Sequence, residues 1–147
     1  MFLAHFFPWD VEVTKNAALK HGFTTRTSGP ITGLYDYADI DDDLIAIHHW
    51  MKWYKFGFTR LWDNVALEIK NGRMSSKDGK DFIQRHPELP PLDAIRKFCE
   101  FTGKSVVDFE SVTEKFRNPA IWRKIGDVWE IEDFLFSDWR WNEYSIK

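Results

Sequence analysis

The strongest constraint on how this chain folds lies between Ile40 and Arg60. The stretch opens on Asp41-Asp42-Asp43, continues almost without a polar residue, and closes with Lys52, Lys55 and Arg60 around Gly57. A helix carrying Leu44, Ile45, Ile47, Trp50, Met51, Trp53, Tyr54 and Phe56 has little polar face left, so most of it has to be covered by the rest of the chain. Charges on a buried helix are costly unless they are paired or used. That conflict marks the stretch as a candidate site.

The flanking sequence supplies the cover. After the central helix, Leu61, Val65 and Ile69 recur at helical spacing from Thr59 or Arg60 until Asn71-Gly72 stops them. Ser75-x-x-Asp78 is a capping box for a helix reaching Arg85, although Gly79 weakens it. His86-Pro87-Glu88-Leu89-Pro90-Pro91 is a rigid break. Leu92 to Thr102 is amphipathic and stopped by Gly103. Ser105-x-x-Asp108 caps the next helix, whose stripe is Phe109, Val112 and Phe116. Gly126-Asp127 between β-branched and aromatic residues reads as a β-hairpin turn within Ile121 to Ile131. The tail beyond it, with Trp139 and Trp141, has no readable period.

The N-terminus reads differently. Phe2 to Phe7 is a continuous apolar run of the kind found in strands buried on both faces, yet no later segment matches it as a parallel partner, so either it packs as an irregular segment or the rest of its sheet belongs to another polypeptide. Asp10 stands where the N-cap of a helix from Val11 to His21 belongs, with Gly22 and Phe23 as its stop. That position is also the carboxyl end of the strand, where open α/β sheets bind ligands. Thr24 to Asp39 is an aperiodic loop beyond the usual ~12–15-residue limit for an unstructured connection. Its Gly, Ser and Thr offer phosphate-cradling groups with Arg26 as countercharge, but it holds neither a P-loop nor a dinucleotide fingerprint. The expected architecture is mainly α: a helical bundle over 40–118, preceded over 1–39 by one orphan strand (2–7) of an α/β sheet with a helix and loop, and followed over 119–147 by a hairpin and tail.

Composition excludes several classes. The net charge of −3 and the absence of a basic tract weigh against nucleic-acid binding. The single Cys99 forbids an internal disulfide and fits a packed residue in a reducing, cytoplasmic setting. Met1 to Phe7 is too short to span a bilayer. The aromatic excess, 8 Trp and 13 Phe, demands a bulky interior or a surface that a partner covers.

Two constellations carry chemistry. Asp41 to Asp43 with His48 and His49 supply metal-type donors. Acids at a helix start are also what the macrodipole favours, and adjacent helical histidines diverge by about 100°, so a cap with a polar site is preferred and no metal is assigned. Lys52 and Lys55 share a helix face at i and i+3, and Gly57 lets Arg60 converge on them. Three such cations suit a phosphate or pyrophosphate; equally, they pair with Asp41 to Asp43 or with C-terminal acids.

Several pieces, in order along nearly the whole chain, resemble the C-terminal half of N-acetyl sugar amidotransferases. They are Phe2-Leu3-Ala4-His5-Phe6-Phe7-Pro8-Trp9-Asp10, Gly33-x-Tyr35 through Ile40-Asp41-Asp42, His48-x6-Lys55-Phe56-Gly57-x-x-Arg60, Glu68-Ile69-x-x-Gly72-Arg73-Met74 and Phe116-Arg117-Asn118-Pro119. These are N-type ATP-pyrophosphatase enzymes of lipopolysaccharide and nonulosonic-acid biosynthesis. The resemblance implies glutamine-dependent conversion of a sugar acetamido group to an acetamidino group. ATP activates the amide oxygen as an adenylate, ammonia from a glutaminase attacks, and AMP and pyrophosphate leave. It implies ATP and Mg²⁺, a nucleotide-linked N-acetyl sugar, Lys55 and Arg60 as the catalytic, phosphate-facing pair, and Asp10, Asp41 and Asp42 as candidates for substrate, metal or helix contacts; beside them Arg26, His48 and Lys52 are the further candidate substrate or phosphate contacts. It also implies that the sheet of the orphan strand is the edge of a nucleotide-binding, ATP-pyrophosphatase-like domain. The family's Ser-Gly-Gly-x-Asp-Ser loop is absent; Ser28-Gly29-Pro30 is not one. The resemblance therefore implies an ATP-binding N-terminal half or subunit as partner, without which the chain is inactive. The orphan strand points the same way, or to pairing with a second copy of this chain. The alternative is a non-catalytic helical interaction module.

Overall fold

A computed structural model describes residues 2, 5–7, 9–87 and 89–141. In chain order its elements are α1 (Val11–Lys20), α2 (Ile45–Phe56), α3 (Arg60–Lys70), α4 (Ser76–Arg85), α5 (Leu92–Thr102), α6 (Val106–Glu114), β1 (Trp122–Ile125) and β2 (Val128–Ile131). The helices begin and end where local chemistry dictates. Asp10 accepts from the Glu12 N–H at 2.9 Å to start α1. At its far end the Phe23 N–H returns to the Ala18 carbonyl, the bond of a Schellman stop. Ser75 caps α4, and Ser105 with Asp108 forms a reciprocal capping box on α6. The hairpin pairs Ile125 with Val128 across Gly126-Asp127, as the turn signal predicts.

The helix α2 is the centre of the molecule, touching α3, α5 and α6. The pairs α3–α4 and α5–α6 pack as helical hairpins beside it. Its buried residues are Ala46, His49, Trp50, Trp53 and Tyr54. The Trp53 ring meets Trp122, Phe134, Trp139 and Trp141 with centroids 5.2–6.1 Å apart. The tail that lacks a period thus closes the core with aromatic area, each such side chain burying about 150–250 Å². Gly57 ends α2 at φ 73°, and a side chain there would run into Ile131 of β2. Gly79, read from sequence as a weak point, lets α4 approach α3: a Cβ there would stand 2.8 Å from both Val65 and Ile69. Cys99 is a packed core residue.

Four expectations need correction. The strand over 2–7 is not formed at the described residues Phe2 and His5–Phe7; His5 N–H instead closes a turn on the Phe2 carbonyl at 3.0 Å. Leu3 and Ala4 lie outside the described residues. A strand needs a neighbouring edge to take its hydrogen bonds, and the described residues provide only the β1–β2 pair. Second, Asp41 to Asp43 precede α2 rather than open it: Asp42 Oδ1 accepts from the Leu44 N–H at 2.7 Å, a local turn that competes with helix entry. Third, α2 is not apolar all round in use, since His48, Lys55 and Phe56 are exposed. Fourth, α6 is shorter than its pattern, and Val112 and Phe116 are half-exposed while Phe109 and Thr113 face the core. Among the described residues, no helix is long and apolar enough to cross a membrane.

Candidate functional site

The loop 24–39 lies along α2 and α3, held by polar side chains on their buried faces. Thr32 Oγ1 and His49 Nδ1 are 2.7 Å apart. The Leu34 N–H donates to Asn64 Oδ1 at 2.9 Å, and the Tyr35 hydroxyl donates to Glu68 Oε1 at 2.6 Å. Gly33, at φ 71°, has no room for a side chain because the Asn64 amide and the Arg60 stem press against it. Leu61, Asn64, Val65 and Glu68 are spaced i, i+3, i+4, i+7, one helix face. Two of the four are polar because the loop backbone and Tyr35 need partners once they are out of water.

Glu68 extends the network. It accepts from Arg73 Nε at 2.6 Å and Nη2 at 2.8 Å, while Arg73 Nη1 donates to Asp10 Oδ2 at 2.6 Å. One chain of bonds therefore runs Tyr35–Glu68–Arg73–Asp10 and ties the loop, the end of α3 and the start of α1. The Arg73 guanidinium, and after it the Tyr35 hydroxyl, hold the Glu68 carboxyl below its ordinary value against the opposing effect of burial. Burial first, then the Glu68 carboxylate, raises the Tyr35 phenol far above its usual value.

The cations sort into two places. Lys52 Nζ pairs with Asp63 Oδ2, and Arg60 Nη1 lies 3.9 Å from the same oxygen. Lys55 does not join them: it is exposed, with Nζ 5.3 Å from the Phe116 ring centroid. His49, between the loop and this pair, is buried; desolvation lowers its pKa, Asp39 opposes, and Arg60, His48 and Lys52 lower it further. Asp39 Oδ2 is 3.9 Å from His49 Nδ1. His48 is exposed and meets His49 edge-on. Asp41 and Asp42 are exposed, and Asp43 reaches Lys97 at 3.5 Å. Arg26 lines a groove between the loop and α5. Asp10 combines the N-cap of α1 with the Arg73 contact.

Sequence reasoning weighed His49 only as a metal-type donor beside His48, and passed over Thr32, Asp63, Glu68 and Arg73 as site residues. For Glu68 a signal existed, because a carboxylate at i+7 on the seam of Leu61 and Val65 demands a partner. For His49 none did, since choosing between adjacent histidines requires knowing which helix face is covered. Among the described residues, no group of three or more His, Cys, Asp or Glu is placed to hold a metal.

The arrangement is that of a helical domain presenting an ordered loop and a Lys–Arg pair bridged by one carboxylate. The chain belongs to the family described as LPS biosynthesis protein WbpG-like, C-terminal domain, which it matches over residues 22–135. That span contains the loop, α2 to α6, the hairpin and the Tyr35–Glu68–Arg73 contacts; Asp10 lies before it. A comparison with curated proteins finds no match.

Proposed function

We propose that this chain is the helical portion of an ATP- and glutamine-dependent amidotransferase that converts a sugar N-acetyl group to an acetamidino group in surface-polysaccharide biosynthesis. It works with a chain bearing the Ser-Gly-Gly-x-Asp-Ser loop and a glutaminase that supplies ammonia. The observation carrying this reading is membership in a lipopolysaccharide-biosynthesis family whose matched span includes the Lys52–Asp63–Arg60 cluster. Two cations sharing one carboxylate keep a net positive charge, which suits an anion that gains charge as it leaves. Arg60, with Lys52 beside it, serves the pyrophosphate, and Lys55, apart from them over the Phe116 ring, is a second phosphate contact. Asp63 positions Lys52 and Arg60. The chain's own residues fit a phosphate contact but not a Mg²⁺ site, because no sufficient cluster of carboxylates and imidazoles is assembled among the described residues.

The test is reconstitution. The full chain is co-expressed with the ATP-binding chain and glutaminase encoded nearby, and AMP release and amidine formation on nucleotide-linked N-acetyl sugars are followed. Arg60→Ala and Lys55→Ala should abolish or sharply reduce turnover with melting curves unchanged. A chain that never engages such a partner, or variants that retain full turnover, would overturn the reading. A second reading, a non-catalytic interaction module, is favoured by one observation: Phe2, Phe6, Phe7, Trp9 and Val13 are all more than half exposed. It predicts partner binding that survives both substitutions in a complex with no turnover to lose.

A further inference from the structure

The stripe that the sequence suggests for α6 is divided in the structure. Phe109 and Thr113 are buried, whereas Val107, Asp108, Ser111, Val112 and Lys115 are all exposed. Asp108, Ser111, Val112 and Lys115 are spaced i, i+3, i+4, i+7, one helix face, and Val107 borders it. Lys115, the C-cap, keeps helical dihedrals of φ −68° and ψ −17°, so the face runs through two full turns.

This face leaves apolar area in water. A groove of about 380 Å³ beside it is lined by Phe98 of α5 and Phe109 as well as by α6 itself. Phe101, one turn of α5 beyond Phe98, is 86% exposed, and Val107 is 73% exposed. The outer face of a surface helix is ordinarily polar; apolar area exposed on both helices of one hairpin marks an interaction surface.

The charges on the face are not used up within the chain. Lys104 and Lys115 both line the groove and make no ion pair among the described residues. Asp108 accepts from the Ser105 N–H at 3.2 Å and the Ser105 hydroxyl at 2.7 Å, both on Oδ2, which leaves Oδ1 open. Along α6 the order is therefore acid, then Ser111 and Val112, then base. Asp108 and Lys115 stand equally far from the Ser111–Val112 peptide. A parallel copy of this face would set like charges against each other. An antiparallel copy, turned about a twofold axis at that peptide, sets each acid against a base.

From this self-complementary pattern we infer that the α6 face is a contact between two copies of this chain. The two α6 helices pack antiparallel, with Asp108 of each copy paired to Lys115 of the other. Ser111 and Val112 lie at the axis, where the small serine lets the helices approach to about 8–10 Å. Phe101 and Val107 are covered at the margins. Such a contact is isologous, the usual form of a homodimer. Exposed ion pairs add little affinity but fix the register, and the apolar cover supplies the drive. A nine-residue helix makes a small contact, so the dimer belongs with the weak, reversible complexes that bury less than ~1,200 Å². None of these residues belongs to the Lys52–Asp63–Arg60 cluster, and the contact does not depend on the function proposed above.

Sedimentation velocity of the full chain at low salt, across a wide range of loading concentrations, should show a reversible monomer–dimer equilibrium. Lys115→Glu and Asp108→Lys each oppose like charges twice in a symmetric pair and should weaken self-association roughly tenfold or more. Mixed with each other, the two variants recover both ion pairs and should associate as the unaltered chain does. Asp108→Lys also gives up the Ser105 cap, so Ser111→Cys supplies a measurement clear of it. Mild oxidation should link two such chains at the axis, whereas Val107→Cys, roughly 13 Å from its counterpart along the helices, should not link. The buried Cys99 takes no part. A chain that stays monomeric at every loading overturns the inference and leaves the face to a different polypeptide. So does self-association that both charge reversals leave intact, a mixture that associates no better than its components, or Val107→Cys linking as readily as Ser111→Cys.

Discussion

Replacing Tyr35 by Phe removes one hydroxyl and nothing else, and its consequence can be worked out from the loop contacts. The hydroxyl donates at 2.6 Å to Glu68 Oε1, and Tyr35 is only 8% exposed. A hydrogen bond to an ionised group contributes about 1.5–3 kcal/mol. Glu68 keeps both bonds from Arg73 in the variant, so no carboxylate is orphaned and the loss should sit at the low end, about 1.5 kcal/mol. Glu68→Gln keeps the shape but not the charge and should cost about 2–3 kcal/mol, most of it through Tyr35, because the Arg73 side chain is partly open to water and rehydrates. The double variant then loses less than the sum, with a coupling of about 1 kcal/mol. Urea unfolding followed by circular dichroism measures all four corners. The pH dependence gives a second check. The Glu68 pKa is lowered in the folded state from its ordinary value of 4.5, so its stabilisation is complete above that value and is lost as pH falls through the folded value. The gap between wild type and Glu68→Gln should be full at neutral pH and close in acid. A Tyr35→Phe cost below about 0.5 kcal/mol, additive with Glu68→Gln, would refute the claim that this network holds the loop.

Gly57→Ala should destabilise by more than about 1 kcal/mol, since it strains a left-handed position and also drives a methyl into Ile131; thermal melting reads it. Arg117 lies over the rings of Tyr54, Trp122 and Trp129 at 4.3, 4.6 and 5.0 Å, with its Nη2 on Glu114. Arg117→Ala should cost about 2–4 kcal/mol and Arg117→Lys less, with near-ultraviolet dichroism reporting the loosened rings. Burial lowers the His49 pKa below its ordinary value of 6.5 in the folded state. The unfolded chain therefore takes up the proton first, and the stability tied to neutral His49 is complete above about pH 6.5 and lost as pH falls through the folded value. His49→Gln should flatten the stability profile in that window, measured by denaturant midpoints between pH 5 and 7.

The cation cluster was partly legible as geometry. Lys52 and Arg60 do meet, but at Asp63, an acid three residues past Arg60 rather than any of Asp41 to Asp43. Lys55 turns to Phe116 instead. Helical spacing says which residues share a face; it does not say which neighbour that face meets. The same gap separates His48 from His49, adjacent in sequence and opposite in burial.

By itself the sequence determined what short-range chemistry controls. The caps at Asp10, Ser75 and Ser105, the stops at Gly22, Gly57, Gly72 and Gly103, the Gly126-Asp127 turn and the choice of helix for 60–70 and 92–102 follow from hydrogen bonds and torsions within a few residues. Tertiary structure alone decided the rest. Phe2 to Phe7 has strand composition but no edge to pair with among the described residues. The aperiodic loop is ordered because His49, Asn64 and Glu68 wait for it on helices, across 17 to 33 residues of chain, and the unreadable segment around Trp139 and Trp141 is ordered because Trp53 offers its rings a surface. Each is a contact between segments distant in the chain, whose free energy exists only once both surfaces leave water together.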